Sequence, residues 1–231
     1  MSAAFHWDGF DAYLFDIDGT LLNSCDGVHY NAFHSALDTV FHVRDRIDSV
    51  PLHGNTDPGI LRAVARNAGV AEQVFTAGLP RALEHMCNHA LQNCAAMRPE
   101  VCSGVRELLD ELRCRGKLMG IVSGNLERIG WAKLAAAGLR DYFAFGSFSD
   151  EREARSEIFA HALAECRRQL GQNAVVCVVG DTPNDIAAAR ECKLPIIAVA
   201  SGTYTATQLQ QHSPDLCVAC CGELLAPRGG A

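Results

Sequence analysis

The chain has 231 residues, of which 48% are hydrophobic and 20% are charged, and this balance excludes an intrinsically disordered protein. Its formal net charge of −7, with no run of Lys or Arg, excludes the basic surface that nucleic-acid binding requires. Long apolar runs such as 174–179 and 195–200 are far shorter than the roughly 20 residues that a membrane-spanning helix needs.

Short apolar runs alternate with helical segments through most of the chain. The first run predicts a buried strand at 12–15, and similar runs predict strands at 117–122, 175–179 and 195–199. Amphipathic spacing predicts helices at 104–115, 126–137, 156–169 and 184–191. This alternation is typical of a parallel α/β sheet, in which ligands bind at the carboxyl ends of the strands.

The stretch from about residue 26 to residue 96 interrupts the alternation. Its apolar spacing predicts helices and no strand, and the helices lie at 30–42, 58–68 and 71–96. Pro99 follows the last helix, and the α/β pattern then resumes. We therefore predict an all-helical subdomain at 23–97, inserted into a core formed by 1–22 and 98–231. We expect residues 227–231 to be frayed.

The cysteines and the N-terminus bear on the cellular compartment. Eleven cysteines show no regular disulfide pattern, and the one CxxC pair, Cys217 and Cys220 with Cys221 beside it, has no second pair to complete a zinc site. A zinc site or a redox pair stays an alternative to reduced thiols packed as small hydrophobic side chains. The N-terminus lacks a basic region followed by an apolar one, so we expect no signal peptide and a cytoplasmic protein.

Polar residues follow the first predicted strand. Asp16 and Asp18 are two residues apart, and their carboxylates can point into one pocket if the chain turns at Gly19. An Asx-type turn, in which both aspartates cap local amides, is the alternative.

A second group of acids follows the strand at 175–179. Asp181 comes directly after this strand and Asp185 one helical turn later, although helix capping by Asp181 or Thr182 would also explain this pattern. Three or four carboxylates at one sheet edge repel one another, so a hard cation such as Mg²⁺ would hold them together.

Ser123, Gly124 and Asn125 follow the strand at 117–122. They offer a hydroxyl and backbone N–H groups at a helix start, where phosphate binds, and an N-cap role for Ser123 is the alternative. An acid pair, a metal site and an anion site together predict phosphoryl transfer.

These segments resemble the motifs of the haloacid dehalogenase superfamily. FDIDGTLLNS resembles its first motif, Asp-x-Asp-x-Thr in the phosphatases, while IVSGN resembles the second and VVGDTPNDIAAAR the fourth. Their order and spacing agree with members that carry a helical cap between motifs one and two. The resemblance implies a Rossmann-like α/β core and an inserted helical cap that opens and closes at hinges near 22–26 and 97–100.

The resemblance also implies catalytic roles. Asp16 would be the nucleophile that forms an aspartyl-phosphate. Asp18 would protonate the leaving oxygen and then activate water, and the first step requires an Asp18 pKa above the ordinary value of about 3.9. Since the dehalogenases lack an aspartate at this position, we do not expect carbon–halogen cleavage.

The resemblance implies binding roles for further residues. Mg²⁺ would be held by Asp16, by Asp181 and by the backbone carbonyl of Asp18, with Asp185 in support. Ser123 would hydrogen-bond the transferred phosphoryl group, and Thr20 would support the turn. The predicted phosphate-binding set also contains Thr20, Gly124 and Asn125.

The third motif departs from the family pattern. Members typically carry a lysine in Lys-Pro-x-Pro, whereas residues 149–159 contain no lysine and alignment on the helix start puts Glu153 in its place. We favour Arg155 as the replacing cation, because Arg-x-Glu-Ile at a helix start resembles a branch of the family that uses arginine here. Arg152 and Lys133 are alternatives, and both arginines could instead be solvated surface charges.

The cap is expected to select the substrate. Gly54 permits close backbone approach before a cap helix, and we predict that Asn55 and Thr56 bind the leaving group. The alternative is an ordinary N-cap by Asp57, with Pro58 at the first helical position.

We therefore predict Mg²⁺-dependent hydrolysis of a small phosphorylated metabolite, similar to that of phosphoglycolate phosphatase, by a monomer or homodimer. A phosphosugar mutase would use the same motifs, and the missing motif-three lysine leaves a non-catalytic binding or regulatory protein as a second alternative.

Overall fold

A computed structural model describes residues 5–226, and two sheets organise this part of the chain. The strands are β1 (Ala12–Phe15), β2 (Leu22–Ser24), β3 (Pro99–Val101), β4 (Leu118–Val122), β5 (Phe145–Ser147), β6 (Val176–Gly180), β7 (Ile196–Val199) and β8 (Leu216–Val218). The α-helices are α1 (Val28–Phe41), α2 (Asp57–Asn67), α3 (Glu72–Gln92), α4 (Val105–Cys114), α5 (Glu127–Ala136), α6 (Arg155–Leu170), α7 (Pro183–Glu191) and α8 (Ala206–Gln210).

Six strands form a parallel sheet in the order β5-β4-β1-β6-β7-β8. Successive side chains of the central strand β1 point to opposite faces of the sheet. Tyr13 and Phe15 pack in the apolar layer that contains α4, whereas Leu14 packs in the layer that contains α6 and α7. Because both faces are covered by helices, β1 is apolar throughout and fully buried. The predicted α/β fold with a parallel sheet is confirmed.

The segment between β2 and β3 is helical, as its apolar spacing predicts. Helices α1, α2 and α3 share an apolar cluster that also contains Leu126 and Ile129 from the start of α5. Strands β2 and β3 flank this segment and pair with each other in antiparallel register, with Leu22 opposite Val101. The residues predicted to be hinges therefore lie in and beside a two-stranded ribbon.

The structure adds four strands that the sequence pattern misses. β2, β3, β5 and β8 have three residues each, which is too short for a periodic signal. The last helix of this segment is shorter than predicted, since α3 ends at Gln92 and a 3₁₀ turn follows at Cys94–Ala96. The predicted frayed tail, 227–231, lies outside the described residues. In the described range, no helix has both the length and the apolar character needed to cross a membrane.

Candidate active site

The residues predicted for chemistry lie at one edge of the parallel sheet. Asp16 follows β1, Ser123 follows β4 and Asp181 follows β6, and these three strands are neighbours in the sheet. The carboxyl ends of parallel strands meet at the same edge, so side chains from three distant parts of the sequence converge there. With residues of the helical segment they line a cavity of about 290 Å³.

Three buried carboxylates form a cluster in or beside this cavity. Asp16, Asp181 and Asp185 each offer an oxygen, and these oxygens lie within 4.8 Å of one another. Burial disfavours the charged form, and neighbouring carboxylates repel it, so the pKa values of Asp16 and Asp181 are raised well above 3.8. At Gly19, which has a φ of +87°, a Cβ would overlap the Asp181 carboxylate.

The cluster fits a divalent metal ion. All of its donors are carboxylate oxygens, the ligands that Mg²⁺ prefers, and their mutual repulsion in a buried place is what a cation compensates. Elsewhere in residues 5–226, no three His, Cys, Asp or Glu side chains converge in this way. The zinc alternative at Cys217, Cys220 and Cys221 therefore gains no support, and all eleven cysteines are free thiols.

Arg155 supplies a buried cation beside the predicted nucleophile. It is the first residue of α6, and its Nη2 lies 2.8 Å from Asp16 Oδ1 and 2.5 Å from Asp185 Oδ1. Its side chain is only 9% exposed. Glu153, which aligns with the family lysine, instead binds Arg62 of α2 through both carboxylate oxygens. This geometry places Arg155, rather than Arg152 or Lys133, against Asp16.

Lys133 forms an ion pair with Asp18. Its Nζ lies 2.9 and 2.7 Å from the two carboxylate oxygens of Asp18 and 2.9 Å from Asn125 Oδ1. Asn125 Nδ2 also donates to Asp18 Oδ2 at 2.7 Å. The Asp18 carboxylate thus binds Lys133 and Asn125 and lies outside the acidic cluster. Only its backbone carbonyl stays available for the predicted metal role.

This network changes the expected charge of Asp18. The family comparison implies a raised Asp18 pKa, and burial acts in that direction. The Lys133 ammonium and the Asn125 amide outweigh it, so the pKa of Asp18 is lowered from 3.8. The expectation that its surroundings raise the pKa of Asp18 is therefore wrong. No sequence pattern indicates this pairing, because Lys133 lies on a helix 115 residues after Asp18.

Replacing Lys133 with methionine is expected to raise the pKa of Asp18. Because this pKa is lower in the folded protein than in the unfolded chain, the pair stabilises the fold above about pH 4 and loses that effect at lower pH. The Asp18 side chain is 42% exposed, so the loss of stability at pH 7 should stay within about 1 kcal/mol. The side-chain carboxyl ¹³C shift of Asp18, followed by NMR against pH, measures the pKa directly.

Lys117→Met is the matched control, because Lys117 precedes β4 at the opposite edge of the sheet. An Asp18 pKa that does not change in the Lys133 variant would contradict the electrostatic role of Lys133.

Ser123 and Gly124 line the cavity beside these groups. Ser123 Oγ accepts hydrogen bonds from the backbone and side-chain N–H groups of Asn125, and α5 begins only at Glu127, so Ser123 is not an N-cap. Gly124 is where the helical segment meets the core. Its carbonyl accepts a hydrogen bond from the Asp57 N–H at 2.7 Å, and a Cβ there would overlap the Asn55 carbonyl.

Two residues predicted to bind substrate are turned away from the cavity. Thr20 is fully buried, and its hydroxyl donates to Asp181 Oδ1 at 3.0 Å. Thr56 caps α2 and donates to the Glu153 carbonyl at 2.9 Å. Both therefore orient other groups, which corrects their place in the substrate-binding set.

Of the two residues predicted to bind the leaving group, Asn55 does line the cavity. The alternative N-cap at Asp57 is also wrong, because the cap is Thr56.

The structure adds His29 to the cavity wall. This residue of α1 carried no sequence signal, and its Nε2 lies 3.0 Å from Asp57 Oδ2. Asp57 Oδ2 also accepts a hydrogen bond from the Leu126 N–H at 2.9 Å, which ties the start of α2 to the start of α5. On the sheet side, Thr182 caps α7 in a reciprocal capping box with Asp185. The capping alternative for Thr182 is thus confirmed, and Asp185 also accepts hydrogen bonds from Arg155.

Comparisons with known proteins agree with this architecture. The phosphoglycolate phosphatase of Synechococcus elongatus is 31% identical over 210 residues, which cover 88% of this chain and 90% of that protein. The phosphoglycolate phosphatase of Chromobacterium violaceum is 29% identical over 209 residues, which cover 86% of this chain and 88% of that protein. The crystal structure of CbbY from Rhodobacter sphaeroides in complex with phosphate covers 93% of this chain and 96% of its own, with a TM-score of 0.70 at 17% identity.

The CbbY likeness shows a shared fold. A family model described as "Hydrolase: haloacid dehalogenase-like hydrolase" matches residues 10–193, a span that contains every charged side chain of the site. The chain therefore belongs to the haloacid dehalogenase-like hydrolase family and is a hydrolase of that family.

Proposed function

We propose that this protein is an Mg²⁺-dependent phosphatase that hydrolyses a small phosphomonoester through an aspartyl-phosphate on Asp16. The observation that carries the proposal is the buried Asp16 carboxylate, which contacts Arg155 and lies within the acidic cluster at the edge of the sheet. Relatives named phosphoglycolate phosphatase support this reaction class.

The first step is attack by an Asp16 carboxylate oxygen on phosphorus. Burial and nearby acids oppose ionisation of Asp16, and the Arg155 guanidinium favours it. Arg155 is thus placed to keep the nucleophile charged and to bind phosphoryl oxygens. Asp16, Asp181 and the Asp18 carbonyl would hold Mg²⁺, with Asp185 beside them. The metal would supply positive charge that orients the phosphate and screens it from the acids.

The second step is attack by water on the aspartyl-phosphate. An ionised Asp18, held by Lys133 and Asn125, is suited to accept the proton of this water at a carboxylate oxygen. The leaving oxygen of the first step must also receive a proton, and the Asp18 carboxylate and Lys133 lie where this proton is needed. The Lys133 ammonium contacts Asp18, so the pair can give a proton to the leaving oxygen in the first step and regain one from water in the second, and we assign both proton transfers to it.

We further propose that residues 23–97 form a cap that closes over the site of the core. Arg62 of α2 pairs with Glu153, two residues before Arg155, and Arg128 of α5 pairs with Glu84 of α3. The first pair is partly exposed and the second is exposed, so both can break and re-form at small cost, as a cap that admits substrate requires. The reaction would take place in the cytoplasm, where eleven free thiols remain reduced.

Phosphate release from a panel of small phosphomonoesters, with Mg²⁺ and with EDTA, tests the proposed function. Metal-dependent release supports a phosphatase. Turnover that depends on a sugar bisphosphate and releases little phosphate would instead support a phosphosugar mutase. A folded protein that neither binds Mg²⁺ nor turns over any ester would support a binding protein.

Mg²⁺ is expected to raise the melting temperature, because it offsets the repulsion among Asp16, Asp181 and Asp185. At saturation the shift should be at least about 3 °C for a protein of this size. Asp181→Asn should remove most of it. Differential scanning fluorimetry across a Mg²⁺ titration measures both effects.

Asp141→Asn serves as the control, since Asp141 is exposed and its loss makes the same change in net charge. An unchanged melting curve at millimolar Mg²⁺, or an equal shift in Asp181→Asn, would contradict the metal assignment.

A further inference from the structure

The cavity has two chemically different ends. The end at the sheet edge holds Asp16, Asp18 and Asp181, together with Lys133 and Arg155, and Asp57 contacts Gly124 and Leu126 where the helical segment meets the core. The other end is walled by side chains of α1, α2 and the segment between them. The apolar part of this wall is formed by Tyr30, Phe33, Ile47, Leu52 and Ile60, and its polar side chains are His29, His53, Asn55 and Asp57. Phe33, Ile47 and Ile60 are buried, so only a small part of each is left to face the cavity.

The apolar end has no cation left over for an anionic leaving group. Among the residues that line the cavity, Lys133 and Arg155 are the only Lys or Arg, and they are paired with Asp18 and with Asp16 and Asp185. The basic groups at the other end are His29 and His53.

The two histidines of the lining are each in contact with another side chain. His29 Nε2 lies 3.0 Å from Oδ2 of the buried Asp57. The His53 ring lies against the hydroxyl of Thr203, 3.2 Å from its Nδ1. A substrate carboxylate beside these side chains would lose hydration with no unpaired Lys or Arg to replace it, so it would be disfavoured.

We propose that the enzyme prefers phosphomonoesters whose leaving group is uncharged and has an apolar face. This inference rests on the proposed phosphatase function and narrows its substrate class. It departs from the substrate in the names of the relatives, because the leaving group of phosphoglycolate carries a carboxylate. The phosphate binds at the charged end, and the leaving group gains free energy by covering the apolar wall.

Three esters of the form phosphate–O–CH₂–R test the preference, because they differ only in R. Phosphoglycolate carries a carboxylate, 2-hydroxyethyl phosphate a neutral hydroxymethyl group, and benzyl phosphate an apolar ring. With Mg²⁺ present, we expect kcat/KM to rise at least tenfold from phosphoglycolate to 2-hydroxyethyl phosphate. We expect a further rise of at least tenfold to benzyl phosphate.

A kcat/KM for phosphoglycolate equal to or above that for 2-hydroxyethyl phosphate would overturn this inference while leaving the proposed phosphatase intact. No phosphate release from any of the three esters would overturn the proposed function itself, and this inference with it.

Two variants locate the cause of the preference. Asp57→Asn keeps an oxygen to accept from the Leu126 N–H but removes the charge, so the kcat/KM ratio of phosphoglycolate to 2-hydroxyethyl phosphate should rise at least fivefold. Asp45→Asn makes the same charge change on the exposed surface, and its ratio should equal that of the wild type. Phe33→Leu removes aromatic area from the wall, so the preference for benzyl phosphate should fall. Ratios that do not move in Asp57→Asn and Phe33→Leu would overturn the assignment to this wall.

Discussion

Asp16→Asn is expected to lower kcat on the order of 10⁴-fold or more, the scale seen when an enzyme loses its nucleophile. An amide oxygen cannot form the aspartyl-phosphate, and no other carboxylate occupies this position. Asp18 is committed to Lys133, and Asp185 to Arg155 and Thr182. Steady-state phosphate release with Mg²⁺ measures the loss, and rapid acid quench of the wild type should trap phosphate on the protein.

The asparagine side chain has nearly the same volume as aspartate, so the variant should fold. Its circular dichroism spectrum and a cooperative thermal transition check this. A folded Asp16→Asn variant that retains more than a tenth of the wild-type kcat would exclude Asp16 as the nucleophile.

Arg155→Ala is expected to lower kcat by about 10²- to 10³-fold, comparable to the loss of one preorganised donor in other enzymes. The guanidinium bridges Asp16 and Asp185, and both are buried. Its removal leaves two buried carboxylates without their cation, which should destabilise the metal-free protein by about 3–5 kcal/mol. Kinetics and urea unfolding, each with Mg²⁺ and with EDTA, measure the two effects.

Arg155→Lys separates charge from geometry. Lysine restores a positive charge but cannot span both carboxylates with one planar group, so kcat should recover to about a tenth of the wild-type value. Arg152→Ala is the matched control, because it removes an arginine three residues earlier that is not among the residues lining the cavity. A larger loss in Arg152→Ala than in Arg155→Ala would move the motif-three role to Arg152.

Several features of the fold and the site follow from local sequence. Buried strands such as β1 and β6 are continuous apolar runs, and polar residues follow directly after them. Parallel strands bring their carboxyl ends to one edge, so the convergence of Asp16, Ser123 and Asp181 could be predicted without coordinates. The order of these motifs also indicated the family to which the chain belongs, and the family model confirms it.

Side-chain partners could not be predicted in the same way. Thr20 and Thr56 have residue types suited to phosphate or alcohol binding, yet their hydroxyls bind Asp181 and the Glu153 carbonyl. A hydroxyl binds whichever acceptor lies within about 3 Å, and the acceptors here come from distant parts of the chain.

Local sequence patterns were enough to predict the four longer strands of the sheet, the helical segment and the acids that follow the strands, because these depend on periodicity and on the chemistry of neighbouring residues. The coordinates were needed to show that Lys133 lowers the pKa of Asp18 and that Arg155 contacts Asp16. They were also needed to show that Asp57 and apolar side chains of the helical segment line the cavity. Charges act through distance and burial, and packing alone sets both for residues far apart in sequence.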